Sequence, residues 1–168
     1  MSSSPDVCSE VLKALRKIIR AIDLNSKKIS KQYHLTGPQL LIIKDLSEGG
    51  SCPVGNLAKR VSLSHATVTE IVDRLEKKGY LKRVKSEEDK RKTLVFLEEK
   101  ATEVLKLKPT LIQERFVNEF TELPDWEQSM ILSNFQKVAH LMDADSIDAS
   151  PFLVNTSTIA AEGSIGLG

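Results

Sequence analysis

Residues 63–97, LSHATVTEIVDRLEKKGYLKRVKSEEDKRKTLVFL, switch hydrophobic period partway along a short run. Val68, Ile71, Val72 and Leu75 recur at three and four residues, the spacing of one helix face. Ser64 stands where such a helix needs its N-cap. Gly79 ends the pattern, with Lys77 and Lys78 just before it, where a helix terminus favours cations. The chain then alternates: YLKRV reads as a strand and TLVFL as a second, more apolar one. KSEEDKRK between them is wholly polar and too long for a tight turn, so its tip must project. A capped helix feeding a hairpin with a projecting charged loop admits few folds.

The flanking sequence narrows them further. Pro5-Asp6 begins a helix whose apolar stripe runs through Val7, Val11, Leu15, Ile18, Ile22 and Ile29, widened by Leu12 and Ile19. It reaches about Tyr33, and its other face is basic. A long helix with such a stripe needs something to pack against, and a second subunit would serve. LTGPQLLIIKDLSEGG starts a second helix, capped by Thr36 or Gly37 and ended at Gly49-Gly50. A short helix is expected over 54–61, joined by the tight connection SLS to the helix that Ser64 caps. Helical periodicity returns at Glu98, with Pro109 dividing the segment. A last helix carries Trp126, Met130, Phe135, Val138 and Met142. From Ala144 the chain is rich in Ser, Ala and Gly and reads as a flexible tail in which PFLV, at 151–154, could dock on the body.

These elements predict a mainly α fold, a winged helix-turn-helix with a two-stranded wing and N- and C-terminal dimerisation helices. The expected boundaries are 6–33 for the first dimerisation helix and 36–97 for the winged lobe. The C-terminal dimerisation helices take 98–143 and the tail 144–168. In a winged helix the second helix of the pair enters the DNA major groove, and the wing reaches the adjacent backbone or minor groove.

Charge follows the same division. Residues 1–97 hold 19 Lys/Arg against 11 Asp/Glu, and residues 98–168 hold 5 against 12. Only the first part is a candidate for an anionic partner. Ser62, Ser64, Thr67 and Arg74 are predicted phosphate contacts. His65, Ala66, Thr69 and Glu70 are candidates for base edges. Glu70 and Asp73 would repel phosphates, but each has a cation four residues on, Arg74 and Lys77. Glu70 could accept a hydrogen bond from a cytosine amino group, or it could only screen Arg74. Screening is the reading the sequence slightly favours.

The same stretch resembles the core of the MarR family of bacterial transcriptional regulators. The agreement lies in LTGPQ, LAKRVSLS, the pattern TVTxxVDRLExKGYLKR and the DKR of the wing, and it extends over about residues 6–143. The resemblance implies a homodimer whose two lobes read adjacent half-sites of a near-palindromic operator in double-stranded DNA. It implies that Arg91 enters the minor groove, supported by Lys90 and Lys92, and that Asp89 holds the wing by pairing with Arg83. It also implies a possible small-molecule effector bound between the dimerisation helices and the winged lobe. Two departures stand out. Glu70 replaces an Arg or Lys common in the family, and LEEKA replaces LTxxG after the wing. A weaker likeness, in LRKIIRAIDLNSKKISKQYHLTGPQLL, LPDWEQS and DASPFL, is to the MarR subgroup that controls ectoine and other compatible-solute genes. It would make osmotic stress the signal.

Other functions find little support. His34, His65 and His140 are far apart and form no metal-binding spacing. GGSCPVG lacks the Lys-Ser/Thr of a phosphate loop, and no catalytic triad order is recognisable. No enzyme activity and no cofactor are expected. No apolar run approaches the ~20 residues of a membrane span, and the N-terminus lacks a secretory pattern. Cys8 and Cys52 read as reduced thiols of a cytoplasmic protein. Two alternatives remain: a redox-sensing regulator acting through Cys8, and a winged-helix module that binds protein.

Overall fold

The computed structural model describes residues 5–147 and 153. The rest of the expected tail, including most of PFLV, lies outside the described residues. The chain forms two units, one running to Pro109 and the other from Thr110.

The first unit begins with α1 (Pro5–Tyr33). Only its C-terminal end enters the core, through Ile29 and Tyr33. Further back, Val7, Val11, Leu12, Ile18, Ile19 and Leu24 are between 42% and 66% exposed, an apolar stripe without cover in the single chain. Next comes α2 (Gly37–Gly49), started by a capping box. Thr36 Oγ1 accepts from Gln39 N, and Gln39 Oε1 accepts from Thr36 N. That exchange explains why Gln39 can be buried although polar. Then follow β1 (Cys52–Pro53), α3 (Val54–Arg60) and α4 (His65–Lys77). The hairpin strands are β2 (Leu81–Lys85) and β3 (Thr93–Leu97), and α5 (Glu99–Lys106) closes the unit.

The two-stranded wing forms as expected from β2 and β3. β1, which the sequence did not announce, joins it as a third strand in the order β1-β3-β2. β1 pairs Cys52 with Val95 and Pro53 with Leu94. A two-residue strand has no alternation to read, and its proline fits only because β1 is an edge. Leu40, Ile42, Ile43, Leu57, Val68, Val72, Leu75, Leu81 and Val95 are buried between these helices and the sheet.

Between α3 and α4 the chain reverses at Ser62, whose φ of 55° is left-handed. Ser64 caps α4 by accepting from Thr67 N at 3.1 Å. At the other end Gly79 N donates to Glu76 O and Tyr80 N to Leu75 O, both at 2.9 Å. This pair of bonds needs a left-handed residue, and Gly79 supplies it at φ 76°. A Cβ there would meet nothing within 4 Å, so a substitution would act through the backbone alone. Gly79→Ala is therefore expected to cost about 1 kcal/mol, read as a lower midpoint in chemical denaturation.

The second unit holds α6 (Ile112–Thr121) and α7 (Asp125–Leu141). Phe116 and Phe120 stack at 5.2 Å between ring centroids. Phe116, Trp126, Met130, Leu132 and Phe135 are each half exposed or more. No described helix is long and apolar enough to cross a membrane.

Candidate nucleic-acid interface

α4 presents the predicted face. Val68, Val72 and Leu75 fix it against the core, and Ile71 is half-buried beside them. Ser64, His65, Ala66, Thr67 and Glu70 are exposed, Thr69 and Arg74 are intermediate, and Ser62 is exposed in the preceding turn. Much of this polar surface is already engaged within the helix. Ser64 Oγ and Thr67 Oγ1 lie 2.7 Å apart and share a hydrogen. Thr69 Oγ1 donates to His65 O at 2.8 Å. Arg74 Nη2 meets Glu70 Oε1 at 2.5 Å, the expected four-residue pair.

The wing is a closed device. Register runs from Leu81 opposite Leu97 to Lys85 opposite Thr93, and Ser86 N donates to Lys92 O at 2.9 Å. Asp89 organises the tip: its Oδ1 accepts from Arg91 N at 3.1 Å and its carbonyl from Lys92 N at 2.8 Å. Asp89 N in turn donates to Ser86 Oγ at 3.3 Å. Lys90, Arg91 and Lys92 are all exposed there.

Two expected ion pairs are replaced. Arg83 does not pair with Asp89, and Asp73 does not pair with Lys77. Arg83 Nη2 meets Asp73 Oδ1 at 2.5 Å, and Nη1 meets Glu76 Oε2 at 2.6 Å. Arg83 N also donates to Glu76 Oε1 at 3.0 Å. The reason is tertiary. β2 runs back beside α4 and brings Arg83 onto two acids one helical turn apart, while Asp89 is occupied by its own turn and by Lys92 at 3.6 Å. Burial disfavours the charged guanidinium of Arg83. The hydrogen bonds and charges of Asp73 and Glu76 outweigh it, so the net shift of its pKa is upward. Arg83 thus staples the wing to α4. Arg83→Met is expected to cost about 1–3 kcal/mol and to weaken DNA binding several-fold by freeing the wing. An unchanged thermal melt would rule the staple out.

Sequence reasoning missed two further supports. Arg60 lies on Asp45 at 2.6 Å and donates to the carbonyls of Gly49 and Gly50, closing the end of α2. Lys100 donates to Lys78 O at 2.8 Å and sits 4.4 Å from the Tyr80 ring centre, closing the end of α4. No local spacing announces either, because both join elements apart in sequence. Cys8 is exposed on α1 and Cys52 is buried on β1, where burial raises its pKa. No group of three described His, Cys, Asp or Glu residues is placed to hold a metal ion.

Comparison with known proteins agrees with this geometry. Residues 35–93 match the model of the MarR family. The chain is 28% identical over 143 residues to the HTH-type transcriptional regulator YsmB of Bacillus subtilis, covering 84% of this chain and 98% of YsmB. Among solved structures, the transcriptional regulator BldR from Sulfolobus solfataricus has a TM-score of 0.51 at 25% identity, over 83% of this chain and 99% of BldR. BpsR of Bordetella bronchiseptica, whose DNA binding is regulated by 6-hydroxynicotinic acid, has the same fold: TM-score 0.53, 23% identity, 83% and 96% covered. Proteins of the family are transcriptional regulators, not enzymes.

Proposed function

From the premise that residues 35–93 are a MarR-family winged helix, we propose that this chain is a cytoplasmic, homodimeric repressor of transcription. Its two lobes bind a near-palindromic operator with half-sites about one helical turn, ~10 bp, apart. The observation that carries the reading is the joint presentation of a capped, exposed α4 and a stapled wing whose tip bears three consecutive cations.

In this reading α4 lies in the major groove. The exposed Ser62 and the capped α4 N-terminus, with Ser64 and Thr67, approach phosphates, where helix amides favour an anion. Arg74 adds a cation farther along α4. His65, Ala66 and Thr69 face base edges. Arg91 enters the minor groove, with Lys90 and Lys92 on the flanking phosphates. Asp89 and Arg83 act through position: one shapes the tip, the other fixes the hairpin to α4. The uncovered apolar faces of α1 and of α6 and α7 support a second copy as the dimer partner.

BpsR, whose DNA binding responds to 6-hydroxynicotinic acid, supports a small-molecule effector here too. The likeness to regulators of compatible-solute genes makes osmotic stress the first signal to test.

Selection of bound genomic fragments at physiological salt, repeated with osmolytes and with peroxide, tests the whole reading. A palindromic site, with affinity falling steeply as salt rises, is the expected result. Release by peroxide alone would point to Cys8. Absence of any bound fragment would leave the protein-binding module as the better account.

A further inference from the structure

On the reading that α4 enters the major groove, the geometry points to Glu70 as a base-reading residue that selects cytosine through its N4 amino group. Most polar side chains beside Glu70 are already engaged. Ser64 and Thr67 are tied to each other and to the helix cap, and Thr69 gives its proton to a helix carbonyl. Asp73 is turned to Arg83 on the wing. His65 is exposed too, with Nδ1 3.4 Å from Thr69 Oγ1. Over the first two turns of α4, Glu70 is the side chain that carries a carboxylate, the strongest acceptor on this face. Its side chain is 63% exposed, and Arg74 takes only Oε1. Among the described residues Glu70 has no second partner, so Oε2 is available.

The Arg74 contact is what allows a carboxylate to work between phosphate walls. Alone, Glu70 would be repelled by the DNA backbone. Paired, it forms a neutral unit whose side chain is held at one oxygen, Oε1, with the other left without a partner among the described residues. The groove edge of cytosine offers the N4 donor, whereas guanine presents O6 and N7, both acceptors. An acceptor at Oε2 is attracted to the first and repelled by the second. Thymine O4 is an acceptor as well, and adenine N6 is a donor displaced from the cytosine position. The order at one position of each half-site becomes cytosine, then adenine, then thymine and guanine. A screening role alone would set no such order.

The test uses the full chain and the operator selected with the wild-type protein. Affinity is measured for all four bases at every position, for wild type, Glu70→Ala and Glu70→Gln. Wild type is expected to prefer cytosine over guanine by about tenfold or more at one position per half-site. Glu70→Ala should flatten that position alone. Glu70→Gln should move its preference toward adenine, which a carboxamide can meet at N6 and N7 together. Thermal melts confirm that both variants fold. Unchanged preference at every position, with affinity raised uniformly, overturns the proposal and leaves Glu70 as a screen. A uniform loss of affinity in folded variants overturns it too. Failure of the wild-type protein to bind any duplex is a separate result and defeats the proposed function itself.

Discussion

Replacing Leu12 and Ile19 together by Glu is expected to leave a folded monomer that binds the operator about a hundredfold or more weakly. The two positions are seven residues apart and share one face of α1. They are 44% and 66% exposed in the single chain, outside the buried core of the winged lobe, so the fold does not depend on them. A second copy would cover them. Each large apolar side chain buried there contributes roughly 1.5–3 kcal/mol, and a symmetric interface loses each one twice. The substitution also asks the interface to bury carboxylates, which costs more still. In the proposed dimer, the second lobe would strengthen DNA binding through effective concentration. With one lobe bound, the other is held near its half-site, and that linkage is worth a factor of about 10²–10⁴. Sedimentation velocity gives the mass, circular dichroism the helicity, and titration with the operator the affinity. A double variant that sediments as a dimer would remove α1 from the interface.

How much of this was legible follows from which contacts are local. The Ser64 cap and the stop at Gly79 each involve residues within a few positions of one another, and sequence spacing located both. For α2 it offered Thr36 or Gly37, and the structure uses Thr36, in a capping box with Gln39. The division of the C-terminal helices at Pro109 was readable for the same reason. What failed was pairing across the fold. The family resemblance pairs Arg83 with Asp89, and four-residue helical spacing pairs Asp73 with Lys77. The strand then delivered Arg83 to Asp73 and Glu76 instead. Arg60 and Lys100 went unnoticed because the helix ends they close lie 10 and 22 residues away. At the candidate interface, the sequence indicated which side chains face outward. It could not say which of their polar atoms are already spent. Ser64, Thr67 and Thr69 read as free hydroxyls, but Ser64 and Thr67 share a hydrogen and Thr69 gives its own to the helix, whereas Glu70 keeps one carboxylate oxygen outside its Arg74 pair.

Arg91→Ala is expected to weaken operator binding by about ten- to a hundredfold, or ~1–3 kcal/mol, without disturbing the dimer. Arg91 is exposed at a tip whose backbone is already fixed by Asp89 and by the Ser86–Lys92 closure. The entropy of ordering the loop is thus largely met before DNA arrives, so the side chain's contact appears almost fully in affinity. Removing the charge should also flatten the salt dependence, by a log–log slope of about 0.9 for each Arg91 that releases a counterion. Arg91→Lys separates charge from shape. It keeps the cation and therefore most of the slope, but lacks the planar fork and is more strongly hydrated. It should lose much of any preference for A·T pairs where the wing meets the minor groove. Equal loss in both variants would mean that the wing reads groove shape through the guanidinium. A loss confined to Arg91→Ala would mean that it supplies charge alone. Unchanged affinity in both would take the wing tip out of the interface, and the staple at Arg83 would then serve stability only.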